Sequence, residues 1–159
     1  NSWPEGPGYH NTVARHLENT GTIEHLISGR LRGGLTFCDG CNTLFQGLAA
    51  DIAKQAGFRL QREIFTNERS PLYGSRIWNF AHDEYLLEVP AHPVQATLAG
   101  YEVCRIMEAT AREYMPELSE AIRVEPALML RWSKAAKPAF AKSGPFKGCL
   151  VPYDSEYFK

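Results

Sequence analysis

Apolar positions recur along this chain with two different periods, and the changes of period divide it into elements. Over residues 9–28, Val13, Leu17, Ile23, Leu26 and Ile27 supply an interrupted helical stripe, with Gly21 as its break. Ahead of it, Pro4, Gly6, Pro7 and Gly8 punctuate the opening rather than propagate a helix. The glycine- and arginine-containing stretch 28–34 ends the pattern. A second stripe, Leu44/Phe45, Leu48, Ile52 and Ala56, predicts a helix over residues 41–56 with Asn42 as its cap. Residues 61–76 are polar and turn-rich and read as a surface connection.

The period then changes to that of strands. Residues 77–81 and 85–89 are short runs of Ile, Trp, Phe, Tyr, Leu and Val, which suit half-buried strands. They predict a hairpin with His82, Asp83 and Glu84 at or beside its turn. After Pro90, the positions Val94, Leu98, Tyr101, Val103, Ile106, Met107, Thr110 and Ala111 predict a helix ending near Met115-Pro116. Within it, Tyr101, Cys104 and Met107 read as core residues, and His92 before it reads as a turn residue. Residues 122–132 read as a last extended element with an edge or bulge at Pro126. The succession predicts an α+β fold, an antiparallel hairpin packed against long helices.

Composition places these elements in one domain-sized chain. With 159 residues, 44% apolar and 22% charged, the sequence is long and apolar enough for a sizeable core. A net charge of −1 does not mark a strong polyanion binder, but the charge is segregated. Between residues 123 and 147, Arg123, Arg131, Lys134, Lys137, Lys142 and Lys147 face the single acid Glu125, as phosphate contact requires. There is no secretory signal at the start and no long apolar span, so a cytoplasmic protein with reduced thiols and no membrane partner is expected. Beginning at Asn1 rather than Met, the chain reads as a processed or excised piece.

Four stretches carry candidate chemistry. Asp83 beside Glu84 is electrostatically costly, and a divalent cation relieves that repulsion; a solvated Asp-Glu turn is the alternative. Arg30 and Arg32 sit among glycines that permit close backbone approach to phosphate, or form a surface turn. Gly47 weakens a helix by about 1 kcal/mol relative to alanine, which a close approach of DNA or of another helix explains. Cys38 and Cys41 have redox spacing before a helix, yet no second pair at metal-ligand spacing accompanies them, so structural thiols are expected.

Taken together, three of these stretches resemble family A DNA polymerases, the DNA polymerase I type. Residues 80–90, Phe-Ala-His-Asp-Glu-Tyr-Leu-Leu-Glu-Val-Pro, look like the last catalytic motif of that palm. Residues 42–54, Asn-Thr-Leu-Phe-Gln-Gly-Leu-Ala-Ala-Asp-Ile-Ala-Lys, resemble the palm helix after the fingers, and Ser28-Gly29-Arg30-Leu31-Arg32 the basic segment leading into it. The resemblance implies a partial palm over residues 20–132, preceded by an extension or the end of a helix over 1–19 and followed by a basic tail over 133–159.

By that resemblance, Asp83 is a metal-binding carboxylate, Glu84 a neighbouring acid supporting the same site, and His82 lies by the primer terminus. Asn42 and Gln46 touch DNA near that terminus, and Arg30 and Arg32 touch phosphate. The implied chemistry is Mg²⁺-dependent, two-metal nucleotidyl transfer from deoxynucleoside triphosphates to a primer 3′-hydroxyl on primer-template DNA. The chain departs from the family in two ways. It has neither the first palm motif, with its Asp in an Asp-Tyr-Ser setting, nor the nucleotide-gripping fingers helix. Cys38 and Cys41 also stand where an arginine is frequent. The expectation is therefore a C-terminal polymerase fragment, inactive alone and completed by an upstream segment in cis or as a separate chain. It would act in the cytoplasm, a host's if the source is viral. The alternative is a non-catalytic, palm-derived DNA-binding or structural module.

Overall fold

The computed structural model describes residues 6–25, 28–118 and 122–155. In chain order these form α1 (Gly6–Thr20), β1 (Thr22–Glu24), β2 (Leu31–Gly33), α2 (Phe37–Thr66), β3 (Arg76–Ala81), β4 (Glu84–Glu88), α3 (Pro93–Tyr114) and a 3₁₀ turn (Pro116–Leu118). The fold is α+β, with two antiparallel two-stranded hairpins packed against helices. It divides into two units, Asn1–Lys54 and Gln55–Lys159, and α2 contributes to both. Among the described residues, no helix is long and apolar enough to cross a membrane.

In Asn1–Lys54 the punctuation expected of residues 6–8 gives way to helix. Pro7 falls in the first turn of α1, where its missing N–H has no intrahelical partner to lose. Gly21, at φ +68°, ends α1 in the left-handed cap that glycine favours and donates its N–H to the Leu17 carbonyl at 2.8 Å. Ile23 then belongs to a strand rather than to the helical stripe, and Leu26 and Ile27 lie outside the described residues. The glycine-arginine stretch closes this first hairpin, pairing Thr22 with Gly33 and Glu24 with Leu31.

The helix α2 starts earlier and ends later than its pattern predicts. Thr36 and Asp39 form a reciprocal cap: the Asp39 N–H donates to Thr36 Oγ1 at 3.2 Å, and the Thr36 N–H to Asp39 Oδ2 at 3.3 Å. The Thr36 hydroxyl, donating to Asp39 Oδ2 at 2.7 Å, and then the Thr36 N–H hold the Asp39 carboxyl below its ordinary pKa. Asn42 is therefore inside the helix and not its cap. The tight helix-helix approach falls at Gly40, where a Cβ would meet Leu17 Cδ1 of α1 at 2.6 Å. At the other end, Leu60 and Ile64 continue the apolar spacing of Ala56 and are fully buried. The charges around them had masked that stripe, so residues 61–66 are helix and only the stretch after Thr66 is connection.

In Gln55–Lys159 the core gathers Leu60, Ile64, Leu72, Ala99 and Ile106, with Ile77, Tyr85, Leu87, Val89 and Val103 packed against it. Strands β3 and β4 pair as expected, with a bulge between Ile77 and Asn79. Arg59 of α2 forks onto Glu113 of α3 and also reaches Thr110. Cys104 is buried as expected, whereas Tyr101 is exposed. Residues 122–132 contain no strand; they touch the sheet pattern only in an isolated bridge of Leu128 with Pro152. Pro126 instead packs on α3, 3.1 Å from the position a Cβ on Gly100 would take. Beyond residue 132, Leu150 is fully buried and donates its N–H to Thr97 Oγ1 at 2.8 Å.

Candidate nucleic-acid interface

Two hairpin ends present the polar groups that the sequence singles out. In the first unit, β1 and β2 carry side chains onto the first half of α2. Arg32 Nη1 donates to Thr43 Oγ1 at 3.0 Å, and Thr43 is buried. The imidazole of His25 lies directly on Gly47, where a Cβ would overlap the ring. Between hairpin and helix opens a cavity of about 360 Å³ lined by His25, Arg30, Arg32, Thr43, Gln46 and Gly47. Such a volume falls among small-ligand sites, about 300–1,000 Å³.

Three of the residues assigned to DNA from the sequence, Arg30, Arg32 and Gln46, thus line one cavity. Asn42 lies one turn before Gln46 on α2; both are exposed. Four residues apart, they share a helix face. Two members of this neighbourhood escaped the sequence reading. His25 is 5% exposed, and the Asp51 side chain 9%. Asp51 Oδ1 is 3.7 Å from Arg30 Nη2 and its Oδ2 3.8 Å from His25 Nδ1. The sequence signal for this cluster is Gly47, which calls for a close neighbour without marking that neighbour as an imidazole.

Nearby, Cys38 and Cys41 occupy the first turns of α2. Both are free thiols, Cys38 exposed and Cys41 partly buried. Burial and the neighbouring Cys38 raise the pKa of Cys41. Packing does not account for Cys38, contrary to the expectation of structural thiols at both positions.

In the second unit, Ala81 pairs with Glu84, which leaves His82 and Asp83 as a two-residue turn. All three polar residues, His82, Asp83 and Glu84, are exposed. His82 has φ +58°, in the left-handed region that glycine occupies without steric cost. The turn is firmly based: the rings of Phe80 and Tyr85 stack with centroids 4.5 Å apart, and Tyr85 lies over Gly57 of α2. Burial raises the Tyr85 phenol above its ordinary pKa, with a hydrogen bond from the Gly57 backbone opposing it.

Adjacent carboxylates on such a support are hard oxygen donors of the kind Mg²⁺ takes. Among the described residues, no group of three or more His, Cys, Asp or Glu side chains converges as a metal site. Asp83 and Glu84 are therefore two exposed acids on a turn, with no closed ligand set around them among the described residues.

No family model matches this chain, and neither a curated protein nor a solved structure matches it.

Proposed function

We propose that this chain is the C-terminal palm part of a DNA-directed DNA polymerase of the DNA polymerase I type. The observation that carries the reading is the end of the β3–β4 hairpin. His82, Asp83 and Glu84 stand exposed on a tight turn whose strands are anchored in the apolar core.

Asp83 is the carboxylate for the metal, Glu84 supports it, and His82 lies by the primer terminus. Bound there, Mg²⁺ supplies Lewis-acid stabilisation of the attacking and leaving oxygens. Arg30 and Arg32 offer planar, permanently charged donors to backbone phosphate. The amides of Asn42 and Gln46 both donate and accept at groove edges. Primer-template DNA and deoxynucleoside triphosphates are the partners, together with an upstream polymerase segment in cis or as a second chain.

A second reading is a palm-derived module that binds DNA without catalysis. Extension assays separate the two. Residues 1–159 alone should extend a primed template no faster than background. Completed by the polymerase segment encoded upstream, they should extend it with Mg²⁺ and four deoxynucleotides. In that complex, Asp83→Asn should slow single-turnover extension at least about 10²-fold, equivalent to about 2.7 kcal/mol. Duplex binding without Mg²⁺ should barely change, and Glu84→Gln should be milder. Near-normal extension by folded Asp83→Asn rejects the catalytic assignment. Duplex binding with no extension by the completed complex selects the module.

A further inference from the structure

We infer that His25 is a positioning residue for Arg30, holding its guanidinium at the edge of the cavity through Nδ1; this rests on the DNA-contact reading of that cavity. His25 and Arg30 face each other across the first hairpin, where the His25 N–H donates to the Arg30 carbonyl at 3.0 Å. Their side chains meet again, with Arg30 Nη2 3.3 Å from His25 Nδ1. A guanidinium has donors only, so Nδ1 must offer its lone pair, and the ring proton of the neutral imidazole resides on Nε2. Asp51 stands beyond hydrogen-bond reach of both groups, at 3.7 Å from Arg30 and 3.8 Å from His25, and steadies the guanidinium by charge.

Packing alone does not explain a histidine here. The ring covers Gly47, but a phenyl ring covers the same backbone without burying polar atoms. His25 Nε2 and Asp51 Oδ2 are both buried without a hydrogen-bond partner. Such groups carry a desolvation cost that an apolar core avoids. What the imidazole adds over phenyl is the acceptor facing Arg30. The Arg30 side chain is 45% exposed, so one edge is pinned while the remainder stays open to a ligand. A pinned arginine has already lost rotamer freedom that a free one loses on meeting phosphate.

The test uses the full 159-residue chain, a short primer-template duplex followed by fluorescence anisotropy, and long-range ¹H–¹⁵N spectra of the histidine rings. His25→Phe keeps a ring over Gly47 and removes the acceptor. It should weaken duplex binding about 5-fold, the scale of one modest hydrogen bond. Adding His25→Phe to Arg30→Ala should then cost less than about 2-fold more, because without Arg30 the acceptor has nothing to position. His25→Asn, whose amide oxygen approximates Nδ1, should bind within about 2-fold of the unaltered chain. The spectra should show His25 Nδ1 unprotonated and Nε2 protonated, with Nδ1 shifting in Arg30→Ala.

Unaltered binding in His25→Phe, additive effects of the two substitutions, or a proton on Nδ1 overturns the inference. If His25→Phe fails to fold, His25→Asn and the spectra of the unaltered chain still decide it. Failure of the unaltered chain to bind duplex counts against the DNA reading instead, and the spectra still report whether His25 pins Arg30.

Discussion

Each hairpin rests a ring on a glycine of α2, and the two are held by opposite means. Over Gly47 the ring is His25, flanked by Arg30 and Asp51, with polar atoms left unpaired. Over Gly57 it is Tyr85, stacked on Phe80 and packed against a core of Leu60, Ile64 and Leu72. The second hairpin has strands of six and five residues, the first only three and three. From the longer strands Ile77, Tyr85 and Leu87 pack, partly buried, against that core, and the exposed carboxylates sit at the hairpin's end. The three-residue strands bury Ile23, and beside it the first hairpin uses directional polar contacts that also point its arginines. The comparison teaches that the same placement, a ring on a helix glycine, stands beneath an exposed acidic turn in one unit and a cationic cavity in the other.

The largest expected contrast between the units is chemical access. Burial pushes the Cys104 thiol from an ordinary 9.0 up to about 11, with Glu108 adding to the shift. Cys38, in the first unit, is exposed. With iodoacetamide at pH 8, mass spectrometry should find Cys104 alkylated at least about 10²-fold more slowly than Cys38, since only thiolate reacts. The linkage has a definite sign. The folded state holds the Cys104 proton more tightly than the unfolded state. Its contribution to stability is complete below the unfolded value and is lost as pH rises from about 9 through about 11. Comparable alkylation of both thiols in the folded protein would break the contrast.

Next in size are the glycines themselves. Gly57→Ala drives a methyl into the Tyr85 hydroxyl, with the ring carbon Cζ at 3.1 Å, and should destabilise the protein by about 1–3 kcal/mol in urea unfolding. Tyr85→Phe should recover part of that loss by removing the hydroxyl. Gly47→Ala should cost a similar amount, relieved by His25→Ala. Rescue at Gly57 without rescue at Gly47 would mean that α2 or the first hairpin shifts to accept the methyl, and the parallel between the two rings would fail.

These contacts also show what the sequence could reveal. The second hairpin was legible because short apolar runs of β-favouring residues mark strands, and two such runs bracketed His82-Asp83-Glu84. The helix α3 was legible from its long stripe and Pro93. The first hairpin was not, since three residues such as Thr22-Ile23-Glu24 are too few to establish a period. The bounds of α2 were missed because Thr36 and Asp39, not Asn42, form its cap, and because Arg62 and Glu63 hid the stripe through Leu60 and Ile64. Arg30, Arg32 and Gln46 were named individually, but the cavity they share also needs His25 to lie on Gly47, far along the chain. No local pattern encodes such a pairing.

A smaller effect sharpens the cationic side of the comparison. Gln46 is exposed on α2, so Gln46→Ala should leave the unfolding midpoint unchanged and weaken duplex binding by about 3-fold, the loss of one neutral hydrogen bond. Its plot of log affinity against log salt should keep the original slope. Arg32→Ala should instead reduce that slope by about one, because a phosphate contact displaces a counterion. Equal slopes in the two variants would place Arg32 on Thr43 alone and remove it from the phosphate-binding set.

The smallest expected effect concerns the turn of the second hairpin. His82 holds φ +58°, a conformation that costs a side chain roughly 1–2 kcal/mol and glycine little. Its replacement by glycine also frees the unfolded chain, which offsets part of the relief. The net expectation for His82→Gly is a gain of about 0.5 kcal/mol, or about 1–2 °C in Tm for a chain of this size. On the proposed polymerase reading, the same substitution should slow extension by the completed complex, because it removes the imidazole which that reading places by the primer terminus. A more stable but slower protein identifies strain retained for the site. A less stable one shows instead that the His82 side chain supports the turn, and that the hairpin end is not merely carried by the core beneath it.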